Sequence, residues 1–209
     1  MMQTTAFAAA FLLLSASPLL ADEITCANWP ATTTLDQIKA KYGAKNVVTA
    51  DLPGAEGETY KGTVVFAKDK AKRFEVTWWD EDKLATFGGV TVAKDSTGPF
   101  GLKLGMSIKD VQKINGKAFN LSGFDWDYGG APDFTGGKLE KLDGGCYISM
   151  TFATTKQTDE KTYNQVAGDK TIRSDMKAID KVKPVITALS ITWPDPSGDQ
   201  TTNDTGEGN

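Results

Sequence analysis

The stretch from Gly101 to Gly130, GLKLGMSIKDVQKINGKAFNLSGFDWDYGG, decides the fold class. Ser107 is placed as a helix N-cap, because its hydroxyl can accept the free amide of Asp110, and Asp110 can reach back in a capping-box pattern. Ile108, Val111 and Ile114 make one apolar stripe at helical spacing. Gly116 stands where a helix stops in a left-handed residue. A helix this short needs a sheet to pack on. The residues after it read as a strand and then an aromatic-acidic loop, Phe124-Asp125-Trp126-Asp127-Tyr128.

The same pattern occurs earlier in the chain. Thr34 and Gln37 form a capping box, Leu35, Ile38 and Tyr42 a stripe, and Gly43 a stop. Thr34, Leu35, Ile38 and Gly43 are separated from Ser107, Ile108, Val111 and Gly116 by one constant interval. The strands echo each other too. Phe74, Val76 and Trp78 alternate with Glu75, Thr77 and Trp79, and Ile148, Met150 and Phe152 alternate with Ser149, Thr151 and Ala153. Gly62 and Gly136 each precede a further strand segment, 63–67 and 137–142. Leu84 to Val92 closes the first unit, with a bulge expected at Gly88-Gly89. Val185 to Trp193 closes the second. Between them, Thr154 to Lys170 reads as an inserted polar loop, and Ser174-Asp175 as the cap of a short helix ending before Pro184. The expected fold is therefore α+β, built from two degenerate repeats, each a short helix packed on an antiparallel sheet. The units span 22–94 and 106–193, joined by a linker at 95–105. The polar tail 194–209 reads as disordered.

The first 21 residues read as a signal peptide. Thr5 to Leu14 is apolar, Pro18 breaks the run, and Leu-Leu-Ala ending at Ala21 is a cleavage-site pattern. No Lys or Arg precedes the apolar core, and Leu19 is bulkier than such a site prefers. A membrane anchor is the competing reading, but a span needs about twenty apolar residues. The expectation is a periplasmic or secreted protein with no membrane span after the signal is removed. The two cysteines, Cys26 and Cys146, then read as a disulfide. Closing so long a loop is worth roughly 5 kcal/mol in the chain-entropy account. Two unrelated thiols are the alternative.

The 23 basic and 27 acidic residues, a net charge of −4, argue against a nucleic-acid partner, which needs clustered positive charge. The chain has no histidine, which removes Ser-His-Asp and Cys-His catalysis and His-ligated metal sites. Walker A and GxGxxG signatures are absent, and no cofactor is expected.

The run Gly105-Met-Ser-Ile-Lys-Asp-Val-Gln-Lys-Ile-Asn-Gly-Lys117, echoed at Thr34–Gly43, resembles the start of a unit in SmpA/OmlA-like outer-membrane assembly lipoproteins. It is also similar to β-lactamase inhibitory protein-like modules, which use a helix-plus-strands unit in tandem. The chain lacks the lipidation cysteine of the former. The resemblance implies an exported protein-interaction scaffold and transfers no functional residue.

Carboxylates and aromatics carry what chemistry remains. Asp125 and Asp127 would share a face if they lay on a strand. Beside Trp126 they could serve a glycosidase or a sugar site. As a Ca²⁺ loop the spacing fails, because the twelfth position from Asp125 is Gly136. The bland reading is a packed turn with solvated acids. Trp79, followed by Asp80-Glu81-Asp82, is turned to the opposite face from Trp78. The candidate interaction surface is therefore Phe124, Asp125, Trp126, Asp127, Tyr128 and Trp79, with an unknown, basic protein as the complementary partner. The expected function is a non-enzymatic interaction or inhibitor-like module. The alternatives are a carboxylate-dependent cell-envelope glycan hydrolase and a sugar-binding protein.

Overall fold

A computed structural model describes residues 23–54 and 57–198. The signal-peptide reading and most of the 194–209 tail fall outside them. Helix α1 (Leu35–Tyr42) leads into a four-strand meander, β1 (Val47–Pro53), β2 (Thr59–Val65), β3 (Phe74–Asp80) and β4 (Ala85–Thr91). Helix α2 (Ile108–Asn115) is followed by short strands β5 (Asn120–Ser122) and β6 (Pro132–Asp133), then β7 (Tyr147–Ala153). Helix α3 (Glu160–Tyr163), β8 (Thr171–Arg173), α4 (Ile179–Val182) and β9 (Val185–Thr192) follow. One antiparallel sheet of six strands runs β1-β2-β3-β4-β9-β7, and a sheet of three runs β6-β5-β8. The architecture is α+β.

Both helix starts form as their sequences imply. Thr34 accepts from the Gln37 amide while the Gln37 side chain accepts from the Thr34 amide, a complete capping box. At α2, Ser107 accepts from the Asp110 amide, but its hydroxyl also donates to Asp110 Oδ2, so the second arm is side chain to side chain. Gly116 is left-handed, at φ 81°.

The core lies on one face of the large sheet. Alternate residues Val65, Phe74, Val76, Trp78, Phe87, Ile191, Met150 and Phe152 point to it, and Ile38, Tyr42, Ile108 and Val111 close over them from the helices. Phe119, Leu121 and Ile172 bring the small sheet onto the same face, with Phe119 stacked on Phe152 at 6.1 Å. Trp78 Nε1 is satisfied inside the core by donating to Thr63 Oγ1. The other face of the sheet carries Glu75, Thr77, Trp79, Thr91, Ser190, Thr192, Tyr147 and Ser149, all at least partly exposed.

Cys26 and Cys146 are disulfide-bonded, with Cα atoms 5.6 Å apart. The bond ties the segment before α1 to the start of β7 and fits an oxidising compartment. No helix among the described residues is long and apolar enough to cross a membrane.

Two bulges sit in matching places. The β3–β4 register shifts between Thr77 and Trp78, leaving Gly88 as the extra residue on β4. The β7–β9 register shifts between Thr151 and Phe152, with Thr187 extra on β9. The expected bulge at Gly88-Gly89 is thus present.

The second half departs from the expected meander. Strands β5 and β6 stay out of the large sheet, and β5 pairs with both β6 and β8. Residues 137–142, expected as a strand, are turns. Asn115, the last residue of α2, captures them. Its backbone oxygen accepts from Lys138, its side-chain oxygen accepts from Leu139, and a Cβ on Gly137 would collide with its amide. The polar stretch 154–170 contains α3, capped by Asp159. Ser174 and Asp175 do not cap α4, whose N-cap is Ala178. Buried Ser174 instead accepts from the Phe119 amide and donates to Gln112, which fastens β8 to α2.

Candidate functional site

The loop after β5 is organised by one buried ring and several backbone bonds. Phe124 is 2 % exposed and belongs to the core, so it anchors the loop and offers no surface. Its amide donates to Val166 O and its carbonyl accepts from Gly168. Asp125, Trp126, Asp127 and Tyr128 then leave the surface in a turn, not on a strand, so the alternation expected for Asp125 and Asp127 does not apply. Asp125 and Tyr128 are both left-handed, at φ 57° and 58°. Aspartate tolerates that region, whereas a tyrosine there is uncommon and strained.

The turn closes tightly. The Gly129 amide donates to Trp126 O at 2.7 Å, and Ala131 donates to Tyr128 O. Gly130 donates to Ser122 O, and its own carbonyl accepts from Phe152 N–H on the outer side of β7. At φ 77°, Gly130 lies so close to β7 that a Cβ would overlap Phe152 O. The rings this turn presents are open to solvent. Trp126 is 57 % exposed and Tyr128 82 %.

Beside the turn lies a groove of about 690 Å³, lined by Asp125, Thr154, Thr155, Lys156, Gln157, Thr158, Glu160 and Tyr163. Its floor is tied to α4, since the Thr155 and Lys156 amides both donate to Val182 O and the Thr155 hydroxyl donates to Lys183 O. Across it, the Tyr163 hydroxyl donates to Asp125 Oδ2 at 2.5 Å. That bond, with some burial, raises the Tyr163 pKa above its ordinary value. The hydroxyl therefore stays protonated and holds the carboxylate in place. Asp159 is held below the ordinary carboxylate range by the Thr162 hydroxyl and amide at the start of α3.

Trp79 is 38 % exposed, but it stands apart from the loop. It sits on the open sheet face near the end of β3, and the pairings carry that end toward Tyr147 at the start of β7. The turn joins β7 at Phe152, the opposite end. The structure thus unites Asp125, Trp126, Asp127 and Tyr128, sends Phe124 inward, and separates Trp79. Tyr60, half-buried on the Trp79 face, has its pKa raised by burial and then by Glu75 and Glu81.

Sequence reasoning missed the groove. The 154–170 stretch reads as an inserted polar loop, and nothing local to it points to Tyr163 meeting Asp125. Among the described residues no group of three or more His, Cys, Asp or Glu could hold a metal ion. No protein-family model, curated protein or solved structure matches the chain.

Proposed function

We propose that this protein is an exported, non-enzymatic interaction module, inhibitor-like in the way it presents a fixed surface to a partner. The observation that carries the reading is the pair of exposed rings, Trp126 and Tyr128, on a turn closed by the Gly129 and Ala131 amides and rooted by buried Phe124. Tryptophan and tyrosine are favoured anchors at interfaces, and a rigid turn loses little entropy when bound. Asp125, Asp127 and Glu160 beside them complement a basic partner and make association salt-sensitive.

The same reading treats 22–94 and 106–193 as degenerate copies. Its support is the matched pair of bulges, which puts Trp78 and Phe152 at equivalent places beside the two closing strands. The resemblance of Gly105–Lys117 to exported interaction modules points the same way.

The test is a comparison of Trp126→Ala with wild type against partners crosslinked in an envelope extract and then purified. Binding should weaken by more than about 1 kcal/mol while the melting temperature holds. A large drop in melting temperature, with binding unchanged in the folded fraction, would return Trp126 to a packing role. One observation favours a second reading. The groove offers hydroxyl, amide and carboxylate groups with the Tyr163 ring, and Asp125 in its wall belongs to the turn that carries Trp126, which suits a saccharide. Binding on a glycan array that is lost in both Trp126→Ala and Asp125→Asn would favour that reading over a protein partner. Hydrolysis of envelope glycans would favour the hydrolase.

A further inference from the structure

The groove beside the turn has a direction to its hydrogen bonding. Three of the four hydroxyls that line it face oxygens that can only accept. Thr155 faces Lys183 O at 2.6 Å, Thr158 faces Asp159 O at 3.3 Å, and Tyr163 faces the Asp125 carboxylate. Each of these hydroxyls therefore donates into the protein and keeps only lone pairs for a ligand. The Thr155 and Lys156 amides are spent inward too, on Val182 O. The side-chain donors left in the wall are those of Thr154, Lys156 and Gln157.

Two carboxylates deepen the bias. Asp125 and Glu160 line the groove and make no ion pair among the described residues. Lys156 lines it as well, exposed, and pairs with neither. The Asp125 carboxylate is also fixed in place, since Tyr163 holds Oδ2 and leaves Oδ1 to accept from elsewhere. A polyol must be given hydrogen bonds as well as give them, and this wall gives few. A guanidinium only donates, through N–H groups set in a planar fork that fits a fixed carboxylate. An ammonium is a compact point charge and meets fewer of these acceptors.

We propose that this groove receives an arginine side chain of the partner. Its guanidinium lies on the Asp125 carboxylate, with Glu160 and the Thr155 and Thr158 oxygens as further acceptors. This rests on the reading of the Trp126–Tyr128 turn as the interaction surface, and it states what that surface selects. Asp125 belongs to both, because its backbone precedes Trp126 in the turn and its carboxylate lines the groove. The rings supply the anchor, and the groove supplies the choice of a basic residue beside it. The lining residues are largely exposed, so the pair is partly solvated and its attraction falls as salt rises.

The test titrates N-acetyl-arginine amide into the isotope-labelled, disulfide-bonded protein and follows the backbone amide shifts. N-acetyl-citrulline amide, its uncharged counterpart, is the control. The expected result is a saturable shift at Asp125, at 154–160 and at Tyr163, with the citrulline probe weaker by at least about tenfold. Asp125→Asn should weaken the arginine probe by a similar factor and leave the melting temperature nearly unchanged. No saturable shift in the groove, equal affinity for the two probes, or arginine binding untouched by Asp125→Asn overturns the proposal. So does saturation of the same residues by methyl glucoside with none by the arginine probe, which gives the groove to a saccharide. The titration needs no partner, so its failure leaves the Trp126→Ala test of the turn intact. If that test fails while the arginine probe binds, the turn is not the interaction surface and the groove holds a free guanidinium compound instead. The two probes are compared on the unmutated protein, so a variant that fails to fold does not remove the test.

Discussion

The two flanks of the large sheet begin alike and end differently. On each side of the β4–β9 junction stands a bulged pair, with Trp78 or Phe152 on its core face. Outward from β3 the sheet continues through β2 and β1 to a free edge. Outward from β7 it stops, because Gly130 bonds to Phe152 and β5 and β6 form a separate sheet with β8. The lesson is that similar bulged strand pairs can be continued in two ways. One flank spends its outer strands on extending the sheet. The other spends them on a platform that lifts Trp126 and Tyr128 into solvent.

The largest expected effect tests the shared part. Trp78→Ala and Phe152→Ala should each cost about 3–5 kcal/mol in a denaturant titration, as buried aromatic truncations do. Similar costs would support equivalent positions. A cost below about 1 kcal/mol at either site would break the comparison. The next effect tests the difference. Gly130→Ala should destabilise by about 2–4 kcal/mol, from the left-handed φ and the overlap with Phe152 O, and should disturb the turn while β1–β4 amides keep their exchange protection. Uniform loss of protection across both flanks would show that the platform is not a separate device.

The smallest effect concerns pH and the platform side alone. The Asp133 carboxylate on β6 accepts from the Thr135 hydroxyl and amide, which lower its pKa below the ordinary 3.8. A lowered folded-state value stabilises the protein above 3.8 and loses that contribution as the pH falls through the folded value. The group is largely exposed, so the contribution is about a few tenths of a kcal/mol. Asp133→Asn should narrow the difference between melts at about pH 7 and pH 3. An unchanged difference would assign that acid sensitivity elsewhere.

Features that depend on neighbours in sequence could be read directly. Thr34 and Ser107 cap because the groups they satisfy are three residues away. Gly88 bulges because a glycine pair in a strand leaves little else to it. Cys26 and Cys146 are far apart, but with two cysteines only one pairing exists. The rest depended on distant partners. Residues 137–142 carry a strand-like pattern, yet Asn115 at the end of α2 holds them as turns. Phe124 and Trp126 are both aromatic and two apart, so alternation puts them on one face. The left-handed Asp125 between them cancels that rule, and one ring goes inward while the other faces water. The groove needed Tyr163 to meet Asp125 across 38 positions, which no local pattern encodes.

The position of β9 has a kinetic consequence. It is the last strand among the described residues, and it lies between β4 and β7. Synthesis from the N-terminus therefore finishes the sheet in its middle. Until Val185 to Thr192 arrive, β4 and β7 each wait with an open side, and the β1–β4 meander and the β7 side have no shared ladder. Long-range strand pairing of this kind is slow and leaves edges exposed while it waits. A chain cut short before Val185 would thus lose the keystone of its sheet and present two adhesive edges.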